Sequence, residues 1–293
     1  MMARKAVAFA VVASSLFAAP AAHATPRWVD RLLTLPGPIA GSIDIGGSLA
    51  HAFESEPPNP PCAAGCNFYG SGVSVDGVLG IANRVDIGIH VGFRGFTDNL
   101  GYNEGVITSA DSYGRMFDQI AFYGAANTGI YGNEAVTNPE LRVRGRILNV
   151  RRVFELGVEG RSIFPFANET VYTQVIGVPM ALHLGKYVRF DFGAYSHFTF
   201  FGQPQGALVT FEAPAAVWFQ VHKRVFLGPM FSPRWYSYNV YPTGPGNVDI
   251  SAGFGLGVSC AKFLDFKTQF YFPRLNDDAR YWGVGAGVGF YFD

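Results

Sequence analysis

The sequence predicts an all-β fold, namely a twelve-stranded antiparallel transmembrane β-barrel with short periplasmic turns, and three observations support this. Apolar residues alternate with small or polar residues over most of the chain, and a period of two residues is that of a β-strand. Charged residues make up only 15% of the chain, whereas Gly (36) and Phe (27) are abundant. The connections between alternating segments are short after even-numbered segments and mostly longer after odd-numbered ones, as in membrane barrels.

The pattern is clearest at the C-terminus, from Arg280 to Asp293. One register is apolar and carries aromatic residues at both ends, whereas the other consists largely of glycine. A membrane barrel shows such an apolar row to lipid and places the aromatics at the two interfaces. A soluble β-sandwich is the alternative, but it would have to bury every aromatic-rich row against a second sheet.

Alternation begins after Pro38 and continues to the last residue. Tight turns at 82–84, 150–152, 185–186 and 222–224 separate some of the segments. Pro179, Pro214 and Pro229 fall inside segments and predict bulges or broken ladders, with Pro214 and Pro229 nearly opposite each other. The predicted strands cover residues 40–54, 68–81, 85–94, 141–147, 154–161, 176–184, 188–197, 209–219, 225–239, 248–258, 264–272 and 280–293.

The N-terminal region has the layout of a secretory signal peptide over residues 1–24. Arg4 and Lys5 precede an apolar stretch, and Ala22-His23-Ala24 supplies a small-x-small cleavage site. The alternative is a buried helix. Residues 25–39 are then a periplasmic N-terminal segment with one possible short helix over 27–35, and residues 40–293 form the barrel.

Export makes a disulfide between Cys62 and Cys66 the simplest interpretation of the proline-rich loop that contains them. A metal-binding pair is the alternative, although no histidine or further cysteine lies nearby in the sequence. Cys260 falls on an apolar row and is expected to be inert.

From Ser42 to the end, the chain resembles the outer-membrane β-barrel proteins of Gram-negative bacteria. The resemblance implies location in the outer membrane, with outer-membrane lipid, the barrel-insertion machinery and small solutes as partners. Such barrels end in an alternating strand with a terminal aromatic that the insertion machinery reads; Phe290 and Phe292 fit this, and Asp293 follows them. The equal numbers of Lys+Arg (22) and Asp+Glu (22) argue against a nucleic-acid partner.

If the apolar rows face lipid, the alternate rows line the lumen. Turn positions predict that Arg146 lies opposite Glu155, that Arg142 lies opposite Glu159, and that Glu212 lies opposite Arg234. Acidic and basic residues balance on the inner rows, which argues against a channel selective for one sign of charge. The candidate lumen-lining residues are Arg142, Arg144, Arg146, Glu155, Glu159, Arg189, Asp191, His197, Glu212 and Arg234.

The segment 98–138 is predicted to be a long extracellular loop that folds over or into the lumen and narrows it. Its charged residues are all acidic except Arg115. It also contains six aromatic residues, which need a surface on which to pack. A mobile outer loop is the alternative. The glycines of the tenth and twelfth predicted strands leave one wall of the lumen bare, to be filled by bulky side chains, by this loop or by water.

These features predict a small-solute channel or transporter with a loop-narrowed lumen. A closed structural or surface-interaction barrel is the main alternative, and an outer-membrane enzyme is a lesser one. His197 adjoins Ser196, but neighbours in a strand point to opposite faces, so no serine–histidine pair is expected. We expect no catalytic residues, no cofactor and no metal site.

Overall fold

A computed structural model describes residues 27–54, 66–94, 139–164, 171–201, 207–237, 248–261, 263–272, 275–276 and 282–292. They form one short 3-10 helix and thirteen strand segments. The bounds are η1 (Trp28–Asp30), β1 (Ile39–Glu54), β2 (Cys66–Ile81), β3 (Val85–Arg94), β4 (Glu140–Val150), β5 (Phe154–Ile163), β6 (Val171–Leu184), β7 (Val188–Phe201), β8 (Ala207–Glu212), β9 (Ala215–Gln220), β10 (Val225–Tyr236), β11 (Val248–Ala261), β12 (Leu264–Phe272) and β13 (Trp282–Phe292).

The strands form a closed antiparallel barrel. Each strand pairs with its neighbour along the chain, and β13 pairs with β1, which closes the sheet. Both β8 and β9 pair with β7 on one side and with β10 on the other, so they are two halves of one barrel strand. The barrel therefore has twelve strands, and the predicted fold class and strand number are confirmed.

Pro214 causes the break between β8 and β9, because proline has no N–H to give to a ladder. The register on either side places Arg234 opposite Glu212 and Met230 opposite Ala216. Pro214 therefore lies opposite Ser232, three residues along β10 from Pro229.

The outer face of the wall is apolar and the inner face is charged, as contact of the outer face with lipid requires. Outward side chains such as Ile89 and Ile176 are 56% and 58% exposed, whereas the inward Arg144 and Glu155 are both 0% exposed. A soluble protein would bury the apolar set and expose the charged set. Among the described residues, none belongs to a helix long and apolar enough to cross a membrane.

Short turns join β2 to β3, β4 to β5, β6 to β7 and β9 to β10, all at one end of the barrel. Barrels of this class turn that end toward the periplasm, so we call it the periplasmic end. The first residue of β1 and the last residues of β13 lie at the same end, since Gly41 pairs with Phe292.

The N-terminal segment contains only one turn of 3-10 helix. The helix predicted over 27–35 is wrong, because Arg31 already has an extended conformation (φ −69°, ψ 142°). The backbone beyond it makes hydrogen bonds to side chains of the barrel wall instead of to itself.

Candidate functional site in the barrel lumen

Residues 27–38, which we call the strap, lie inside the periplasmic end of the barrel. Trp28, Val29, Leu33 and Thr34 are each 0% or 1% exposed. The sequence placed this segment in the periplasm, and the structure places it across the mouth of the lumen. The strap starts beside β9 and β10 and ends at the β2–β3 turn, where the Gly37 N–H donates to the side chain of Asn83.

Charged side chains of the wall hold the middle of the strap by its backbone. The Leu33 N–H donates to Glu155 Oε2 at 3.2 Å, and Arg144 Nη1 donates to the Leu33 carbonyl at 3.3 Å. The Leu35 N–H donates to Asp86 Oδ1 at 3.1 Å. Because buried backbone groups need partners, these bonds allow an extended segment to lie buried inside the barrel.

His183 links the strap to the wall with both ring nitrogens. Nδ1 lies 2.6 Å from the Val29 carbonyl oxygen, and Nε2 lies 2.9 Å from Glu155 Oε1. A carbonyl and a carboxylate both accept hydrogen bonds, so the ring bridges an acceptor on the strap and an acceptor on the wall. On the other side of Val29, its N–H faces Gln220 Oε1 at 3.4 Å.

Arg31 is the strap's own charged anchor. Its Nη2 lies 2.5 Å from Asp265 Oδ2, and its guanidinium lies 4.6 Å from the centre of the Tyr291 ring. The carbonyl of Arg31 accepts a hydrogen bond from Arg189, which is itself paired with Asp191 at 2.7 Å. The strap therefore contacts wall strands on both sides of the barrel axis.

An aromatic cluster fixes the first residue of η1. The ring of Trp28 stacks on Phe226 with a centroid separation of 4.0 Å and packs edge-on against Trp218 at 5.5 Å. A Cβ added to Gly255 would lie 2.8 Å from the Trp218 ring, and one added to Gly257 would overlap Phe226. The bare glycine wall is thus filled by aromatic side chains of neighbouring strands and of the strap.

Higher in the lumen, Glu159 binds two arginines, Arg144 and Arg161, and Arg161 in turn lies 5.0 Å from the Tyr195 ring. The prediction that Arg142 lies opposite Glu159 is wrong. Arg144 is opposite Glu159, and Arg142 is opposite Arg161.

The cause is the position of the turn, because Val150 pairs with Phe154 and the turn is therefore centred on Arg152, further along the chain than the sequence suggested. A register shift in β4 between Arg146 and Leu148 removes only one residue of this offset. Arg146 pairs across the strands with Gly157 and not with Glu155. Its long side chain nevertheless places Nη1 3.2 Å from Glu155 Oε2, so these two charges do meet.

Glu212 is the centre of a second buried network. Arg234 Nη2 donates to its Oε2 at 2.8 Å, His197 Nε2 lies 3.1 Å from the same oxygen, and Ser232 Oγ donates to Oε1 at 2.5 Å. The predicted pairing of Glu212 with Arg234 is confirmed. Ser232 and His197 each bind the carboxylate of Glu212 and do not bind each other. A serine nucleophile is activated by a histidine that binds the serine directly, so this arrangement is not a catalytic triad.

All ten candidate lumen residues have side chains that point into the barrel, and the structure divides them among neighbouring groups. Arg144 and Glu159 form one group; His197, Glu212 and Arg234 form a second; the remaining ones lie nearer the strap or, for Arg142, against Gly88. Among the described residues, no three His, Cys, Asp or Glu side chains are placed to hold a metal ion. The disulfide predicted between Cys62 and Cys66 and the loop 98–138 fall outside the described part.

Sequence reasoning missed the strap and its anchors Asp86, His183 and Gln220. The only signal was a mixed apolar segment, Trp28 to Leu35, directly before the first strand and followed by Pro36 and Pro38. It has no period that could show whether it packs outside or inside the barrel.

Comparison with solved structures gives the same architecture. The chain is similar to an outer-membrane channel of the COG4313 group from Pseudomonas putida F1 (TM-score 0.56, 11% identity, covering 88% of this chain and 97% of that one). It is also similar to the NanC porin (TM-score 0.53, 8% identity, 85% and 98% coverage). The KdgM porin is a third match (TM-score 0.52, 9% identity, 86% and 99% coverage).

The chain has the outer-membrane β-barrel fold. At such low identities these likenesses concern the fold alone. No protein-family profile and no curated protein sequence matches the chain.

Chemically, the described part of the lumen is lined by polar and charged groups, and a segment of the same chain lies across one end of it. The wall contributes fixed charges of both signs, paired across strands, so no sign of solute is strongly favoured. The strap contributes apolar surface and backbone groups, held by hydrogen bonds, ion pairs and ring contacts.

Proposed function

We propose that this protein is an outer-membrane channel for small solutes whose periplasmic mouth is closed by its own N-terminal strap. Solutes pass when the strap leaves its site between the charged wall and the aromatic cluster. The proposal includes export by the signal peptide of residues 1–24, insertion by the barrel-insertion machinery, contact with outer-membrane lipid, and no catalytic role.

The observation that carries the proposal is the way in which the strap is bound. It lies on a wall of charged side chains and is not a strand of the sheet, so its departure breaks no ladder. Between Val29 and Leu35, the groups that bind its backbone are ionisable or amide side chains, which water can solvate once the strap is gone. A channel with one displaceable closure fits this arrangement.

Conductance in planar bilayers tests the proposal. The purified protein is compared with a variant in which Trp28, Val29, Arg31, Leu33 and Leu35 are all serine, which keeps the length of the strap and removes its anchoring side chains. We expect small or rare openings from the natural protein and larger, longer openings from the variant. Equal conductance in two correctly inserted proteins would contradict the proposed closure.

We further propose that the segment 98–138 narrows the opposite mouth of the lumen. Its sequence is acidic and aromatic, and it joins β3 to β4 near Glu140 and Arg142, which are buried on the inner wall. Deletion of residues 102–132 should raise conductance further in the serine-strap variant. Unchanged conductance in that combination would show that the loop does not limit flow.

A closed barrel without transport is the second candidate, and one observation favours it. Arg144, Glu155, Arg189 and Glu212 are each 0% or 1% exposed, so the described part of the lumen is densely packed around them. Under this alternative, ion flow stays undetectable after both the strap and the loop are altered. The same bilayer measurements therefore separate the two functions.

A further inference from the structure

The periplasmic turns form a basic rim. Four turns carry exposed cationic side chains, and none of the turn residues is acidic. Among the described acidic residues on that face, Asp30 is already paired with Arg27 at 2.8 Å. The exposed basic residues of the turns, which we call the basic rim, are Arg84, Arg151, Arg152, Lys186, Lys223 and Arg224.

Each part of the rim adjoins apolar side chains on the outer surface of the barrel. Val150 beside Arg151 is 45% exposed, Leu184 beside the β6–β7 turn is 48% exposed, and Val221 beside the β9–β10 turn is 60% exposed. Outward apolar residues of a membrane barrel contact lipid. The cations next to them therefore lie at the level of the lipid headgroups, where long basic side chains reach phosphate.

The β4–β5 turn has a backbone conformation for which arginine is not a preferred residue. Arg151 and Arg152 have φ values of 50° and 59°, in the left-handed region that glycine and asparagine adopt most readily. Two central residues of this kind are typical of a type I′ turn, for which Asn-Gly is preferred. Residues in unfavourable backbone conformations concentrate at functional positions.

The charge of the chain is distributed unequally between the two ends of the barrel, although its formal net charge is zero. The connection between β3 and β4, at the end opposite the rim, has one basic residue, Arg115. It contains five acidic ones, Asp98, Glu104, Asp111, Asp118 and Glu134. The β3–β4 connection is therefore net acidic, whereas the four turns of the rim are net basic.

We propose that the basic rim binds the phosphate groups of anionic phospholipids in the periplasmic leaflet of the outer membrane. Because the basic rim lies beside lipid-facing apolar residues, its ligand is a membrane headgroup and not a soluble anion. This inference is independent of transport, since it concerns the outer edge of the barrel and not the lumen.

The test compares three full-length proteins in phosphatidylcholine vesicles that contain a small fraction of spin-labelled phosphatidylglycerol. The natural protein is compared with a neutral variant carrying R151N, R152G, K223Q and R224Q. The matched control, R151K, R152K, K223R and R224K, changes the same positions and keeps every charge. Electron spin resonance gives the fraction of each labelled lipid held at the protein, and spin-labelled phosphatidylcholine supplies the reference.

We expect the natural protein and the control to hold phosphatidylglycerol several-fold more strongly than phosphatidylcholine, and the neutral variant to show a ratio near one. The neutral variant should resist unfolding at least as well as the natural protein, because Asn-Gly suits the turn better than Arg-Arg. A ratio near one for the natural protein, or an unchanged ratio in the neutral variant, would overturn the proposal. So would loss of the preference when inorganic phosphate replaces chloride at equal ionic strength.

Discussion

At the scale of single residues, Glu212 illustrates how buried charges hold the inner wall together. Its carboxylate receives hydrogen bonds from Arg234, His197 and Ser232, and its side chain is only 1% exposed. A buried charge is tolerated when its partners remain, and the removal of one partner leaves the others desolvated without compensation. Glu212 is therefore more important for stability than a surface ion pair would be.

Replacement of Glu212 by alanine should destabilise the barrel by about 3–5 kcal/mol, because Arg234 and His197 lose their shared carboxylate. The measurement is urea unfolding in detergent, followed by the shift between folded and unfolded mobility on gels. The double variant Glu212→Leu, Arg234→Met is the matched control and should lose less. A smaller loss for the single variant than for the double variant would contradict this account.

Gly257 offers a second test, because its missing side chain makes room for Phe226. A methyl group there would overlap the ring that stacks on Trp28, whereas a methyl group on Gly160 would meet no atom within 4 Å. Gly257→Ala should therefore cost about 1–3 kcal/mol of stability, as overpacking does. Gly160→Ala serves as control and should be neutral. Equal unfolding midpoints for both variants would show that the aromatic cluster is not tightly packed.

The residue scale also shows where sequence reasoning succeeds. The pairing of Glu212 with Arg234 followed from the turn at 222–224, because the ladder keeps one register across the break at Pro214. The pairing of Arg142 with Glu159 failed because the turn is centred on Arg152, and one extra residue in β4 compensates for only part of that offset. Ile147, at that shift, is 64% exposed and has no sequence feature that marks a bulge.

At the scale of elements, the strap differs from the strands in what stabilises it. Strands are fixed by ladders to two neighbours, whereas the strap depends on separate contacts to Glu155, Asp86, His183 and Trp218. Elements held by few contacts open more easily than the sheet to which they are docked. The strap is therefore the first part of the described lumen expected to move.

Release of the strap should expose Arg31 to trypsin. In the natural protein Arg31 is only 7% exposed, so cleavage after it should be slow. The double variant Trp28→Ala, His183→Leu removes the aromatic stack and the histidine bridge. Each loss of about 1.4 kcal/mol in docking free energy should speed cleavage about tenfold.

Mass spectrometry of the released peptides measures this rate. Tyr187→Ala is the control, since Tyr187 lies in the β6–β7 turn, is 67% exposed and should not affect the strap. Cleavage after Arg31 that is equally fast in all three proteins would contradict the placement of the strap inside the barrel.

The strands could be predicted from sequence and the strap could not, for a physical reason. A strand that faces lipid on one side and polar groups on the other must alternate, and the alternation is visible in the residues. The strap is buried on all sides among charged and aromatic groups of many strands, so its environment is not periodic along its own sequence. Its anchors, such as His183 and Gln220, are inner-row residues like any others until the fold brings them to Val29.

At the scale of the whole molecule, the barrel combines a polar inner wall, an apolar outer wall and a closure at one end. The twelve-strand count followed from the alternating segments, and the grouping of the short turns at one end followed from the lengths of the connections. Whether the lumen is filled could not be predicted from the sequence, because a barrel of twelve strands can have either a packed interior or a channel. Next to the glycines of β11 and β13, the lumen is filled by aromatic residues of β9, β10 and β12 and of the strap.

A disulfide that pins the strap tests the central claim most directly. A Cβ built on Gly80 would lie 2.6 Å from Leu35 Cβ, so cysteines at both positions need a shift of about 1 Å to reach ordinary disulfide geometry. The measurement is single-channel conductance of Leu35→Cys, Gly80→Cys before and after addition of reductant. We predict that the oxidised protein stays closed and that reductant restores the openings of the natural protein. A disulfide that fails to form in the folded barrel, or openings that are the same in both redox states, would contradict a strap that closes the lumen.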